Sequence, residues 1–286
     1  TMMVQNLSMI ADAFVNDAFA CAHRSSPSIV GFTNVLPCIA GELMNYELSK
    51  LGQALETPKR PCIAVLGGIK VDDSVVVADN MLRGGISDHI WVTGGVANLF
   101  LHLSGIDLGE LNVNFLKNEI KDKWDETVAI ASALLKDFPE CIIMPSDLAL
   151  NISGNRVDHP LKSLPIEAPI FDLGITSIQS LSKAIKSAGT IILNGPAGVF
   201  ELSDFALGTI EMLNACAESE GYAVMGGGHT ATLVSQRGLA DKMGHVSTGG
   251  GASLELLAGR TLPGLASLEE SAKQFRFSIS KPLDHQ

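Results

Sequence analysis

The sequence predicts an α/β fold, with a doubly wound, mostly parallel sheet covered by helices on both faces and a remnant of a second α/β lobe. Two observations lead to this prediction. From residue 62 onward, short runs rich in Val, Ile and Leu alternate with helical patterns. Hydrophobic residues make up 46% of the 286 residues but aromatic residues only 5%. This composition is typical of parallel strands that are buried on both faces.

The segment before this alternation is predicted to be mainly helical. Residues 1–36 combine apolar positions at helical spacing with a polar loop, and residues 41–56 predict a long amphipathic helix. The segment 57–61 contains two prolines and ends that helix. We therefore assign residues 1–40 to the remnant lobe and residues 41–60 to an interlobe helix.

The alternating region, residues 61–258, is predicted to form the main domain. Strands are predicted at 62–66, 89–93, 141–145, 168–172, 190–194 and 222–226, and a shorter, more polar strand-like run begins at His245. Helices are predicted near 74–84, 95–104, 125–137, 177–188, 204–219 and 230–238, and a short one at 252–258. Residues 259–286 form a C-terminal tail, which is polar from 265 and expected to be loosely held.

Charge and cysteine content limit the partners and the compartment. The formal net charge of −11 disfavours general binding to nucleic acid or to anionic membranes. The five cysteines are odd in number and contain no Cys-x-x-Cys pair, which predicts buried thiols in the cytoplasm. No membrane-length apolar run and no leader pattern is visible. The chain starts with Thr1 inside an apolar helical pattern, which suggests that a longer chain was cut there. For the oligomeric state, we expect a monomer or a weak homodimer.

Glycine-rich turns follow five of the strand-like runs. They are Gly67-Gly68-Ile69-Lys70, Gly94-Gly95, Asn194-Gly195-Pro196, Gly226-Gly227-Gly228 and Gly249-Gly250-Gly251. Turns at the carboxyl ends of parallel strands meet at one edge of a sheet, where open α/β folds bind ligands. Helix N-termini after such turns attract anions, and Lys70 adds a positive charge. Each turn alone could be an ordinary βα connection, but together they predict a phosphate-rich ligand.

Polar residues near these turns are further candidates. Thr230 could cap a helix or bind a phosphate, and Asn194 could donate to a phosphoryl oxygen. Glu201 suits ribose hydroxyls, or is simply a surface carboxylate at a helix start. Arg24, next to His23, could form a fork onto a carboxylate or phosphate.

Other patterns are absent or ambiguous. The spacing of a P-loop is absent, and no Gly-x-Gly-x-x-Gly follows a first strand, which counts against a nicotinamide oxidoreductase. Asp72 and Asp73 could hold Mg²⁺ or offset Lys70, and the second interpretation is favoured. His229 has no evident partners and is interpreted as structural rather than as a metal ligand.

Taken together, the motifs resemble those of the phosphoglycerate kinase family. The matching segments lie in family order between about residue 12 and residue 264, at 15–19, 22–24, 66–71, 194–201, 226–230 and 245–257. The resemblance implies a two-lobed glycolytic kinase whose N-terminal lobe holds 3-phosphoglycerate and whose C-terminal lobe, here residues 61–258, holds ATP or ADP with Mg²⁺. Hinge closure would join the lobes for phosphoryl transfer between 1,3-bisphosphoglycerate and ADP.

The resemblance also implies a role for each matching residue. The catalytic residues would be Lys70, Gly228 and Gly251. The nucleotide-binding residues would be Gly67, Gly68, Gly94, Gly95, Asn194, Glu201, Gly226, Gly227 and Thr230. His23 and Arg24 would bind the acid substrate, and no protein residue is assigned to the metal.

The chain departs from the family pattern in three places. Most of the N-terminal lobe, including the family's catalytic arginine, has no counterpart here. Ser74 stands where most members carry a second lysine, and His229 stands where most carry the Mg²⁺-binding aspartate. We interpret this pair as an archaeal-type variant, in which the metal relies more on nucleotide oxygens and water. The alternative to a kinase is a nucleotide-binding fragment that has no kinase activity on its own.

Overall fold

The computed structural model describes residues 1–275, except for the side chain of His229. The helices in this part of the chain are α1 (Met2–Ser8), α2 (Pro27–Val30), α3 (Glu42–Glu56), α4 (Val71–Arg83), α5 (Gly94–Leu103), α6 (Gly109–Ile120), α7 (Trp124–Asp137), α8 (Ile175–Ser187), α9 (Leu207–Glu218), α10 (Gly228–Gln236), α11 (Gly251–Leu257) and α12 (Pro263–Phe275). The strands are β1 (Phe14–Asn16), β2 (Cys38–Ala40), β3 (Cys62–Leu66), β4 (His89–Val92), β5 (Ile142–Ile143), β6 (Asp147–Ile152), β7 (Asn155–Pro160), β8 (Ile170–Leu173), β9 (Thr190–Asn194), β10 (Tyr222–Gly226) and β11 (His245–Val246).

A six-stranded parallel sheet forms the centre of the main domain. Its strand order is β11-β10-β9-β3-β4-β5. Helices cover both faces of this sheet, and its central strands β3 and β9 are buried at every position. Alternate residues of β3 enter different cores, with Ala64 and Leu66 on one face and Ile63 and Val65 on the other. The predicted α/β class is therefore confirmed.

The pairing register brings the carboxyl ends of the central strands to one level. Leu66 at the end of β3 pairs with Asn194 at the end of β9 and with Val92 at the end of β4. Asn194 in turn pairs with Gly226 at the end of β10. The glycine turns that follow these four strands consequently begin side by side on one edge of the sheet.

One predicted strand lies elsewhere. The run predicted at 168–172 forms β8, which belongs to a separate antiparallel sheet of order β7-β6-β8 and not to the parallel sheet. The hairpin of β6 and β7 was not predicted. The hairpin turns at Ser153 and Gly154, whose φ angles are +53° and +88°. This short turn joins two strands directly, whereas the predicted alternation of strands and helices contains no strand pair at this place. Helix α6 was not predicted either.

The C-terminal tail corrects another expectation. Residues 263–275 form α12, with Leu268 and Ser271 buried, so this part of the tail is not loosely held. The Oγ of Ser271 accepts a hydrogen bond of 2.9 Å from the backbone N–H of Cys38 in β2. The buried face of α12, which includes the small residues Gly264, Ser267 and Ser271, packs against β2 and α2. The rest of the tail, 276–286, lies outside the described residues.

Candidate nucleotide site

The turns after β3, β4 and β9 are joined by backbone hydrogen bonds. The N–H of Gly67 donates to the carbonyl of Asn194 at 2.8 Å, that of Gly68 to the carbonyl of Pro196 at 2.8 Å, and that of Gly95 to the carbonyl of Gly68 at 3.0 Å. A Cβ on Gly67 would collide with Thr93 and with Pro196. These glycines are therefore required for the turns to interlock, and their hydrogen-bonded N–H groups face other turns rather than a ligand.

The turn after β10 offers backbone N–H groups at the start of α10. Gly227 has a φ of +92°, and α10 begins at Gly228. The first N–H groups of a helix have no partners inside the helix and carry the positive end of its dipole. Asn194 lies beside this turn, since its Oδ1 is 3.6 Å from the place where a Cβ on Gly227 would stand. The Oγ1 of Thr230 is buried and, among the described residues, has no hydrogen-bond partner.

Lys70 precedes α4 directly and is exposed to solvent. Asp72 forms an ion pair of 2.5 Å with Lys123, and the offset of Lys70 by Asp72 and Asp73 stays a prediction. Burial and the neighbouring Asp72 raise the pKa of Asp73, while Lys123 and Lys70 oppose that rise. Asp73 therefore interacts electrostatically with both Lys70 and Lys123.

The N-terminal segment meets the turn after β11. The Phe19 ring lies where a Cβ on Gly249 would stand, and Phe19 is fully buried. The His23 ring is 3.1 Å from the place of a Cβ on Gly251, and its Nδ1 is a buried atom without a partner among the described residues. The structure thus brings His23, predicted on the substrate side, next to Gly251, predicted to be catalytic, whereas Arg24 is exposed.

A buried ion pair that the sequence did not reveal lies beside the loop between Asn194 and Glu201. The carboxylate of Asp172 accepts hydrogen bonds of 2.8 Å from the Arg156 guanidinium and 2.8 Å from the N–H of Gly208. Burial raises the pKa of Asp172, and these hydrogen bonds oppose the rise. The N–H of Val199 donates to the carbonyl of Phe171 at 2.7 Å. The loop is thereby fixed to β8, and Glu201 at its end is exposed.

A second buried carboxylate joins α3 to the turn after β11. Glu47 is only 1% exposed and accepts hydrogen bonds of 2.7 Å from His245 Nε2, 2.8 Å from Ser247 Oγ and 2.9 Å from the N–H of Thr248. Burial opposes ionisation of Glu47, but these hydrogen bonds outweigh it and lower its pKa to about 2. Sequence reasoning missed this network. The available signal was a glutamate at helical spacing between the apolar Met44 and Leu51.

Metal binding by protein groups alone finds no support among the described residues. No cluster of three or more His, Cys, Asp or Glu side chains lies close enough to hold a metal ion in this part of the chain. Ser74, at one of the two variant positions, is fully buried and its Oγ has no partner among the described residues. The interpretation of the His229 side chain lies outside the described residues.

Comparison with known proteins gives one consistent result. The family model "Phosphoglycerate kinase" matches residues 1–260. The phosphoglycerate kinase of Methanothermobacter thermautotrophicus is 46% identical over 271 residues, which cover 95% of this chain and 65% of that protein. That of Methanobacterium bryantii is 46% identical over 270 residues, covering 94% and 65%. The chain thus spans about two thirds of the length of these relatives.

Solved structures agree with the sequence relatives. The crystal structure of phosphoglycerate kinase from Pyrococcus horikoshii OT3 matches with a TM-score of 0.88 and 40% identity, over 96% of this chain and 68% of that one. The phosphoglycerate kinase of Coxiella burnetii matches with a TM-score of 0.78 and 31% identity, over 96% of this chain and 69% of that one.

Within residues 1–275, none of the helices combines the length and apolar character that a bilayer span needs.

Proposed function

We propose that this chain, which belongs to the phosphoglycerate kinase family, carries the Mg-nucleotide half of a phosphoryl transfer between 1,3-bisphosphoglycerate and ADP that yields 3-phosphoglycerate and ATP. The observation that carries the proposal is the register of the central sheet, in which Leu66, Asn194 and Gly226 end at one level. The backbone N–H groups at the start of α10, at the same edge as the turn that carries Lys70, suit a chain of phosphates.

Phosphoryl transfer depends on positioning and on charge neutralisation more than on covalent chemistry by the protein. In this proposal the N–H groups at the start of α10, from Gly228 to Thr230, hold the nucleotide phosphates. The Thr230 hydroxyl, which is buried without a partner among the described residues, adds a further donor. Asn194 donates its amide to a phosphate oxygen, and the Lys70 ammonium stabilises the charge on the moving phosphoryl group.

The nucleoside lies against the interlocked turns. In this proposal adenine and ribose lie on the outer surface of the turns at Gly67, Gly94 and Gly95, which pack closely because these residues have no side chains. Glu201 lies at the end of the loop fixed by Asp172 and binds the ribose hydroxyls. Gly68 and Gly226 form the remaining part of the surface that binds the nucleotide in this proposal.

Mg²⁺ fits this site only as a companion of the nucleotide. The described residues supply no cluster that would hold the ion alone. Mg²⁺ keeps several waters and is commonly bound through substrate phosphates with few protein ligands. Its contribution when bound would be to neutralise phosphate charge, and no ligating side chain is assigned.

In this proposal the acid-substrate side is represented by His23, which lies near Gly251, and by the next residue, Arg24. Two groups support a position for 3-phosphoglycerate here: the buried Nδ1 of His23, which has no partner within residues 1–275 as described, and the exposed guanidinium of Arg24. A second candidate function is nucleotide binding without turnover, because the chain spans only 65% of the relatives' length. We expect this chain alone to bind ADP and to turn over negligibly.

Residence in the cytoplasm is part of the same proposal. All five cysteines are free thiols, which suits a reducing compartment. Nucleic acid and membranes are not proposed as partners, given the net charge of −11, and a monomer or weak homodimer remains our expectation.

Lys70→Ala tests the proposed mechanism. We expect ADP affinity, measured by calorimetry with Mg²⁺ on this chain, to fall by no more than about tenfold, because backbone groups supply most phosphate contacts. In a chain extended to the family length, turnover in a coupled assay should fall by about 100-fold or more. Lys59→Ala is the matched control, since Lys59 is also exposed but precedes β3.

Two results would overturn parts of this proposal. Turnover like that of the wild type in Lys70→Ala would remove Lys70 from the mechanism. Failure of the unmodified chain to bind ADP, or equal binding of NAD, would contradict the nucleotide site as a whole.

A further inference from the structure

Arg156 of β7 is a largely buried arginine, and all three nitrogen atoms of its guanidinium donate hydrogen bonds. Its Nη1 donates to the carboxylate of Asp172 at 2.8 Å, and its Nε to that of Asp158 at 3.1 Å. Nη1 also donates to the backbone carbonyl of Asp204 at 3.1 Å, and Nη2 to that of Leu173 at 2.6 Å. The side chain is only 15% exposed. One guanidinium thus joins β7, β8 and the turn that contains Asp204.

The pairing of the small antiparallel sheet explains how these charges meet. Asp158 of β7 and Asp172 of β8 both pair with Ala149 of β6. Arg156 pairs with Asn151, which lies two residues further along β6. Paired residues, and residues two apart on one strand, face the same side of a sheet. The three charged side chains therefore lie together on one face of the sheet.

The loop that carries Glu201 lies directly on β8 before it reaches that residue. The N–H of Val199 donates to the carbonyl of Phe171 at 2.7 Å. A Cβ on Gly198 would collide with this carbonyl and with the carboxylate of Asp172. The absence of a side chain at Gly198 therefore lets the loop pack against the buried carboxylate.

Beyond Glu201, the chain returns to the same ion pair. The carbonyl of Asp204 accepts from Arg156, and the N–H of Gly208 donates to the carboxylate of Asp172 at 2.8 Å. The carboxylate of Asp172 is fully buried, whereas Glu201 is exposed. The exposed carboxylate is thus carried by a loop that is fixed to the buried ion pair on both sides.

We propose that Arg156, acting through Asp172, is a positioning residue that holds Glu201 at the ribose of the bound nucleotide. The inference rests on the proposed function, because it assumes that Glu201 binds the ribose hydroxyls. A buried ion pair by itself is weak evidence for stability, since desolvation of both charges offsets their attraction. A loop that is already ordered loses less conformational freedom when the ligand binds. Without Arg156, Glu201 should lose the ribose while the phosphate contacts at the start of α10 remain.

The test compares ADP with 2′,3′-dideoxy-ADP, which lacks both ribose hydroxyls, by calorimetry with Mg²⁺. The wild-type chain should prefer ADP by about 10-fold or more, as expected for hydrogen bonds to a charged group. Glu201→Ala should lower this preference to about twofold or less. Arg156→Met should lower it nearly as far, although Glu201 is still present. The double variant should lower it no further than Glu201→Ala alone, because both substitutions remove the same interaction.

Two further variants separate positioning from a general loss of stability. Arg156→Lys keeps a positive charge beside Asp172, but one ammonium cannot replace the forked hydrogen bonds of the guanidinium. Its preference for ADP should lie between those of the wild type and Arg156→Met. Glu47→Gln disturbs the buried network between α3 and the turn after β11 instead. Its melting temperature should fall while its preference for ADP stays at the wild-type value.

The outcomes distinguish this inference from the proposed function. A folded Arg156→Met that keeps the wild-type preference overturns the inference; if that variant does not fold, a wild-type preference in Arg156→Lys does so. Loss of the preference in Glu47→Gln overturns it as well, since instability alone would then explain the effect. In these cases ADP still binds, so the proposed function stands. Equal binding of both nucleotides by the wild type removes the ribose contact and this inference, and binding of neither removes the proposed function too.

Discussion

Replacing Glu47 by glutamine tests whether the buried network between α3 and the turn after β11 stabilises the fold electrostatically. The native pKa of Glu47 is about 2, against an ordinary value of 4.5. At about 1.4 kcal/mol per pKa unit, this difference corresponds to roughly 3 kcal/mol of stability at neutral pH. The figure applies because Glu47 is 1% exposed and therefore little screened by solvent.

The lowered pKa of Glu47 determines how the stability difference between the wild type and Glu47→Gln should change with pH. A carboxylate whose native pKa is depressed stabilises the fold fully above its unfolded pKa, here 4.5, and loses that contribution as pH falls towards 2. Urea unfolding followed by circular dichroism should show Glu47→Gln to be less stable than the wild type by about 2–4 kcal/mol at pH 7. By pH 3, the gap between the two proteins should have narrowed by about 2 kcal/mol.

A matched substitution on the same helix provides the control. Glu56 lies in the last turn of α3 and is exposed, so Glu56→Gln should change the unfolding free energy by no more than about 0.5 kcal/mol at either pH. The reasoning is refuted if the gap between wild type and Glu47→Gln is independent of pH, or if it widens as pH falls.

Two further substitutions test how the turns are held. Gly67→Ala would push a Cβ into Pro196, so we expect a loss of about 1–3 kcal/mol in unfolding free energy and weaker ADP binding by calorimetry. The control is Gly52→Ala in α3, where a Cβ has room, and its unfolding free energy should be unchanged or higher. If Gly67→Ala changed neither the unfolding free energy nor ADP binding, the interlocking of the turns would be contradicted. Arg156→Met would leave Asp172 buried without its cation, and we expect about 3–5 kcal/mol of destabilisation in urea unfolding. A change below about 1 kcal/mol would show that the backbone N–H groups of Gly208 and Leu173 satisfy that carboxylate without Arg156.

Continuous apolar runs made several strands predictable. The predicted bounds of β3, β9 and β10 agree with the structure residue for residue, at 62–66, 190–194 and 222–226. Each is long enough, and flanked by enough turn residues, that no helix competes for the segment. The glycine turns after them were visible for the same reason.

The sequence did not predict which segments far apart along the chain would pair with each other. The run at 168–172 has a strand composition, but only its pairing with β6 assigns it to the antiparallel sheet. Arg156 looks like an ordinary surface residue in the sequence, yet it is paired with a buried aspartate 16 residues away.

By itself, the sequence determined the α/β class, the positions of the glycine turns and the candidate phosphate site, because these depend on local composition and on the fact that parallel strands end at one edge. Only the tertiary structure decided the strand order, the interlocking of the turns after β3, β4 and β9, and the partners of Glu47 and Asp172. The physical reason is that burial and hydrogen bonding of a polar group depend on residues far along the chain, which no local pattern specifies.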